Sequence, residues 1–317
     1  MKNSNDQVKS FYDSFSTSYT NYANGTSSLT ELLSLKETDT ARTFSWGDIQ
    51  TWQSIEKYLE VLIEARREIK KASIRVLDVG CGDGAWALRI ANYCMTRSVK
   101  VEIACLDLSP SMIALAKLNF NDLLARFSEN NAEISYELCD LSVGLPAHIK
   151  SGGYDLVLCL HTVLNHLPAK DLTFSVGELV RASNGVLYFS VKPPFSNPTF
   201  YAAPMTEIIH FDRKDEHLYA LDKAGGFHVL RSNLISHEQL QTALMQHSVS
   251  AEFTGLDILI SRLTPDPRWV GDDSTANSLP IEDLLSLEAR VSRDSRYLNF
   301  ANHILAVVDS RLSLQKG

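Results

Sequence analysis

Between residues 72 and 191 short apolar runs alternate with amphipathic segments, and this alternation leaves few folds open. Ile74–Val79, Val101–Leu106, Ile134–Leu138, Tyr154–Leu160 and Val186–Val191 have the length and composition of buried strands. Ala85–Tyr93, Ser109–Phe127 and Asp171–Ala182 lie between them and read as helices, with Ser109 and Pro110 as N-cap and first position, and Asn184-Gly185 as a helix stop. Strands alternating with helices at this spacing build a parallel, doubly wound sheet.

Both flanks add to this core. Residues 1–71 read as an N-terminal arm and helix: a Ser- and Thr-rich stretch with a short helix around 5–20, then one amphipathic helix over 46–71 carrying Ile49, Trp52, Ile55, Leu59, Leu62 and Ile63. At 192–198 the prolines Pro193, Pro194 and Pro198 end the regular pattern and open an insertion over 192–235. Thr206–Phe211, Leu218–Leu221 and His228–Asn233 are its expected strands. Residues 236–317 return to the core with a helix over Ser236–His247, started by a Ser236–Gln239 capping box, a strand over Val249–Leu259, a helix over Pro280–Ser292 and a last strand at His303–Val308. The expected fold is α/β: a Rossmann-like doubly wound sheet, mostly parallel with an antiparallel last strand, plus an N-terminal helical arm and an insertion after the fifth strand.

Composition narrows the function classes. A hydrophobic share of 44% is that of a globular domain, and a formal net charge of -8 argues against a phosphate-binding surface, so no nucleic-acid partner is expected. The five cysteines are odd in number and form no CxxC pair, which speaks against a disulfide framework or a zinc site; a cytoplasmic setting and no metal are expected. Met1–Asp6 has no signal-peptide character, and no apolar stretch reaches the roughly 18 residues of a membrane span, so no membrane partner is expected either. A homodimer stays open.

The chemistry concentrates in Val76-Leu77-Asp78-Val79-Gly80-Cys81-Gly82-Asp83-Gly84, an apolar strand running into alternating glycines and then a helix. Such a turn lets a ligand approach the backbone, and the helix start adds oriented amides. Gly80, Gly82 and Ala85 also satisfy the dinucleotide fingerprint G-x-G-x-x-G/A, with Asp107 as the ribose acceptor. Charge separates the two ligands: Asp78 and Asp83 flank the turn and would repel a pyrophosphate, whereas a sulfonium and an ammonium are tolerated there.

Four blocks in order, Leu77–Gly84, Leu106–Met112, Cys139-Asp140-Leu141 and Tyr154–Cys159, resemble the class I S-adenosylmethionine-dependent methyltransferases. The resemblance covers residues 72–191 and implies S-adenosyl-L-methionine as cofactor. It implies that Asp78, Gly80, Gly82 and Gly84 line the methionine end, and that Asp107 binds the ribose with Leu108 and Met112 on the adenine. Asp140 would accept from the adenine amino group beside Leu141, and Leu160 and Tyr19 would complete the cofactor site, Tyr19 as part of an aromatic arm covering it. The segment Leu160–Leu167 would face the methyl group and the acceptor, which makes His161 and His166 the candidate catalytic bases. Tyr12, Asn165, Phe200, Tyr201 and His210 are the candidate acceptor-binding residues.

The expected activity is methyl transfer to an O, N or C atom of a small, partly apolar metabolite of the secondary-metabolite kind. A macromolecule methyltransferase acting on RNA or protein is the alternative, and an NAD-binding oxidoreductase stands behind it.

Overall fold

Ile74–Val79 (β1) is buried at every position but Arg75, because it lies at the centre of a sheet covered on both faces. The computed structural model describes residues 4–19, 40–68, 73–125, 131–196, 206–222, 225–259 and 281–310. In chain order these form helices α1 (Ser4–Tyr19) and α2 (Thr40–Glu68), then β1, α3 (Ala85–Met95), β2 (Val101–Asp107) and α4 (Pro110–Leu124). They continue with β3 (Ala132–Leu138), β4 (Tyr154–Cys159), α5 (Leu172–Ala182) and β5 (Ser183–Val191). The insertion supplies β6 (Thr206–Asp212), β7 (His217–Asp222) and β8 (Phe227–Arg231), and the C-terminal part supplies α6 (His237–Met245), β9 (Glu252–Leu256), α7 (Ile281–Val291) and β10 (His303–Asp309).

The seven-stranded sheet has the order β3-β2-β1-β4-β5-β10-β9. Pairing is parallel from β3 to β5, and β10 is antiparallel to both its neighbours. The expected antiparallel last strand is therefore present, but it is inserted between β5 and β9 rather than added at the edge. Strand order reverses between β1 and β4, which is where open α/β sheets leave a crevice for ligands.

One face of the sheet is covered by α2, α3 and α4 through Ile55, Leu59, Ile90, Ile113 and Phe120, the other by α5 and α6 through Val176, Leu179, Leu240 and Leu244. Asp155 ties α2 to the sheet: its carboxylate accepts from Arg66 at 2.6 Å and from the Arg75 backbone at 2.9 Å, and its carbonyl accepts from the Tyr58 hydroxyl at 3.2 Å. Ser109 caps α4 and the Ser236–Gln239 capping box starts α6, as the sequence predicts.

Several boundaries differ from expectation. Helix α2 begins at Thr40, before the predicted residue 46. Strand β4 ends at Cys159 because His161 and Thr162 turn into the left-handed region, at φ 55 and 70. Asn184-Gly185 does not stop a helix, since α5 passes into β5 at Ser183 with no intervening loop.

The insertion forms a separate three-stranded antiparallel sheet, β6-β7-β8. One of its faces packs Phe211, Leu218, Ala220 and Leu230 against Val8 and Phe11 of α1. Asn165 holds both ends of the insertion. Its side-chain amide donates to the carbonyls of Lys192 at 2.9 Å and Asn233 at 2.5 Å, and its oxygen accepts from the Lys192 amide at 2.8 Å.

At Gly185 a Cβ would run into the carbonyl oxygen of Asp155 and stand 2.5 Å from the Tyr58 hydroxyl. Gly185→Ala should lower stability by about 1–3 kcal/mol, as overpacking does, with helix and strand content kept; urea unfolding followed by circular dichroism measures both.

Candidate active site

The C-terminal ends of β1, β2 and β4 open into a cavity of about 160 Å³. Gly80 and Gly82 carry φ of 72 and 55, which the L side chains rarely adopt. A Cβ on Gly80 would strike the Val163 side chain, while one on Gly82 would meet nothing within 4 Å and would enter open space. The turn is pinned from β2: Asp107 accepts from the Gly82 amide at 2.9 Å and from the Ser109 amide at 2.8 Å.

Three carboxyl groups share this cavity. Burial pushes Asp78 up to about 7, and the charges of Asp107 and Asp83 add to it. Burial likewise pushes Asp83 up to about 6. Asp107 is raised by burial too, against the backbone amides of Ser109, Gly82 and Leu108 that favour its charge. One carboxylate oxygen each of Asp78 and Asp83 is buried without a hydrogen-bond partner among the described residues. Unpaired buried acceptors are costly, and a ligand bearing an ammonium and a sulfonium would relieve that cost where a pyrophosphate would worsen it. The open cradle over Gly82 and these acceptors fit S-adenosylmethionine.

Helix α1 lies across the cavity mouth. Its Asn5 amide donates to Asp140 Oδ2 at 2.7 Å, and its Tyr12 hydroxyl stands 2.9 Å from His166 Nε2. Ser109 Oγ donates to its Asp13 at 2.5 Å. The His166 Nδ1 lies 3.0 Å from the carbonyl oxygen of Arg231. A carbonyl only accepts, so Nδ1 carries the proton and Nε2 accepts from Tyr12. Burial holds the His166 imidazole below its ordinary range, and burial raises the Tyr12 phenol.

Of the expected residues, Asp78, Gly80, Gly82, Asp107, Leu108, Met112, Asp140, Leu141, Leu160, His161, His166 and Tyr12 line the cavity. Gly84 does not: its α-carbon faces Ala116 and Phe120 of α4, so it serves helix packing. Asn165 is fully buried in the clamp on the insertion and is no acceptor ligand. His210 is exposed and stacks on Tyr219 at 6.0 Å, outside the cavity. Tyr19 ends α1, but its side chain lies outside the described residues, as do Phe200 and Tyr201. Among the described residues the insertion does not line the cavity; it braces α1 and, through Arg231, His166.

Asp48, Trp86, Arg89, Asn5 and Val8 also line the cavity and were not anticipated. Trp86 and Arg89 sit at i, i+3 in the first turns after the glycine loop, a spacing that shares one helix face and could have flagged them. Nothing local to Asp48 or Asn5 marks them, because only the tertiary fold brings α1 and α2 to the site. Among the described residues no His, Cys, Asp and Glu group could hold a metal ion, and no helix is long and apolar enough to cross a membrane.

Residues 76–184 match the family model of a methyltransferase domain. No curated protein is significantly similar in sequence. Among solved structures, magnesium protoporphyrin IX methyltransferase from Synechocystis PCC 6803 with bound S-adenosylhomocysteine shares 15% identity over 97% of this chain and 99% of that one, with a TM-score of 0.53. The same enzyme with bound S-adenosylmethionine gives 15% identity, 97% and 98% coverage, and a TM-score of 0.52. Residues 76–184 thus match a methyltransferase domain, and the chain shares its fold with a methyltransferase crystallised with S-adenosylmethionine and with S-adenosylhomocysteine.

Two outcomes follow for binding. A charge-assisted hydrogen bond from a ribose hydroxyl to Asp107 would contribute about 1.5–3 kcal/mol, so Asp107→Ala should weaken S-adenosylhomocysteine by about tenfold or more in calorimetry. The second concerns pH. The free protein holds protons on Asp78 and Asp83 below about 7 and about 6, and a cationic ligand binds the ionised carboxylates. Cofactor affinity should therefore rise with pH through this range and binding should release protons, more for S-adenosylmethionine than for the product that has lost the sulfonium. Calorimetry in buffers of different ionisation enthalpy reads the protons directly.

Proposed function

We propose that the protein methylates a small, partly apolar metabolite held between the cofactor and the turn that follows β4. The observation that carries this reading is α1, which lies over the cavity through Asn5, Tyr12 and Asp13 and covers part of its opening. An RNA or a folded protein substrate calls for an open groove or a basic face, and the net charge of -8 disfavours the latter. The relative of like fold is named for a small acceptor, magnesium protoporphyrin IX, which accords with the reading.

When bound, S-adenosylmethionine supplies a methyl group on a sulfonium whose positive charge is lost on transfer. The chain's own residues do the rest. Asp107, Leu108, Met112 and Leu141 hold the adenosine, and Asp78 and the Gly80–Gly82 turn hold the methionine end. Val8, Tyr12 and Leu167 close the cavity against water, which counts because transfer depends mostly on alignment and exclusion of solvent. His166 spends both ring nitrogens on Arg231 and Tyr12, so its part is to hold α1 in place.

Methyl-labelled cofactor incubated with the protein and a cell extract tests the reading. The label should appear in an ultrafiltrate, as metabolites heavier by one methyl in mass spectrometry; label retained on RNA or protein would support the macromolecular alternative instead. Asn5 occupies the Asp140 oxygen that would take the adenine amino group, so hydrogen exchange over residues 5–13 should change on adding S-adenosylhomocysteine. Equal exchange in both states would make α1 a static wall.

A further inference from the structure

Five aspartates line the cavity, Asp48, Asp78, Asp83, Asp107 and Asp140, and Arg89 is the one Arg or Lys among its described lining residues. S-adenosylmethionine and S-adenosylhomocysteine both bring a carboxylate into this field. A carboxylate placed among buried carboxyls is repelled at short range, so binding of either molecule depends on a group that offsets that charge.

The start of α3 does not supply it. A helix N-terminus favours anions through its first amides, but here the protein's own groups take them. The Gly84 amide donates to the carbonyl of Cys81 at 2.9 Å, the Ala85 amide to Asp83 Oδ1 at 3.2 Å, and the Ala87 amide to Asp78. Arg89 lies one turn further along the same helix. Asp48 and Trp52 are four residues apart on α2, and Trp86 and Arg89 three apart on α3, so each pair shares one helix face. The two faces meet: the Arg89 guanidinium carbon stands 5.1 Å from the centre of the Trp86 ring and 5.4 Å from that of Trp52. Such contacts hold the guanidinium through its charge rather than through its N–H groups. The Asp48 carboxylate is partly exposed toward the cavity; burial raises it, and the charges of His161 and Arg89 lower it.

We propose that Arg89 and Asp48 clamp the α-amino-acid end of the cofactor, Arg89 taking its carboxylate and Asp48 the ammonium on the same carbon. This rests on S-adenosylmethionine being the ligand of the cavity. An α-amino acid carries opposite charges on one carbon, and the two helices present opposite charges to match them. Both residues lie outside the four sequence blocks that mark the adenosine side. Asp107, Leu108, Met112 and Leu141 hold an adenosine that methylthioadenosine carries too. The clamp therefore sets the preference for the whole cofactor over adenosine thioethers without the amino-acid end, since specificity is a difference of affinities.

Calorimetry with three ligands tests the clamp: S-adenosylhomocysteine, its thiopropylamine analogue, which lacks only the carboxylate, and methylthioadenosine, which lacks the whole amino-acid end. For the wild-type protein, loss of the carboxylate should weaken binding by about tenfold to hundredfold, the range of one charge-assisted hydrogen bond. Arg89→Gln should weaken S-adenosylhomocysteine by a like factor and leave the other two no more than about threefold weaker. Arg89→Lys, which keeps the charge, should recover part of that loss. Asp48→Asn should weaken S-adenosylhomocysteine and the thiopropylamine, which share the ammonium, by about tenfold or more and spare methylthioadenosine. Asp107→Ala, by contrast, should weaken all three, because all carry the ribose.

A merely structural part for Arg89 or Asp48 would lower all three affinities together in their variants, and that result overturns the clamp. So does an affinity for S-adenosylhomocysteine that Arg89→Gln leaves unchanged. Equal binding of S-adenosylhomocysteine and the thiopropylamine by the wild-type protein also overturns it, a comparison that stands where a variant does not fold. A wild-type protein that binds methylthioadenosine as tightly as S-adenosylhomocysteine keeps the adenosine site and sinks the clamp alone. One that binds none of the three defeats the cofactor reading and the clamp with it.

Discussion

The Asp107 carboxylate joins the two loops that follow the paired strands β1 and β2. It accepts the Gly82 amide at 2.9 Å and the Ser109 amide at 2.8 Å, and so locks the glycine turn after β1 to the start of α4. A carboxylate offers about four lone-pair positions, and these two bonds leave capacity for a ligand's hydroxyls. The same group thus shapes the cavity and serves it. Its burial is tolerable because backbone amides stand against the desolvation. Ser109 carries the coupling further: it caps α4 by accepting from the Met112 amide and donates to Asp13 of α1, so strand, turn, helix and arm share one chain of hydrogen bonds.

A second chain runs from the insertion. Residues 192–235 leave the core at Lys192 and return at Asn233, and Asn165 bonds to both ends. The three-stranded sheet then turns its apolar face to α1, while the Arg231 carbonyl fixes the tautomer of His166, which holds Tyr12. An insertion far from the glycine turn in sequence therefore determines how the cavity is closed. It acts through the arm rather than by touching the cavity itself, among the residues described.

How much of this could be read from the sequence depends on how local each cause is. The strands from β1 to β5, the capping of α4 and α6 and the glycine turn are set by neighbours a few residues apart, and periodicity and caps report them. Asp107 was legible because a carboxylate at a strand end follows from the same local pattern. Gly84 was assigned to the ligand because alternating glycines look alike in sequence; only the approach of Ala116 and Phe120 separates packing from binding. Asn165 and His210 were misplaced for a related reason. A polar side chain near a site can face the site, a clamp or solvent, and the choice depends on segments tens of residues away. Asp48 shows the limit most clearly. It lies in an amphipathic helix whose pattern says only that one face is buried, and its position beside His161 depends on how α2 packs on the whole sheet.

Charge rather than shape separates the ligands that such a turn can hold. A glycine turn leading into a helix suits a carboxylate, a pyrophosphate or a nucleotide tail almost equally, since all exploit exposed amides. Here Asp78 and Asp83 lie inside the cavity with buried oxygens that no group among the described residues satisfies, and their affinity for protons is raised together with that of Asp107. Adding a phosphate would deepen the penalty that already holds those protons on; adding a cation would discharge it. Transfer of the methyl group then removes one positive charge from among these carboxyls, so the cavity favours the charged donor over the product it leaves behind. The electrostatic cost of the buried carboxyls thereby works in the direction of turnover: it draws the donor in and weakens the hold on what must leave.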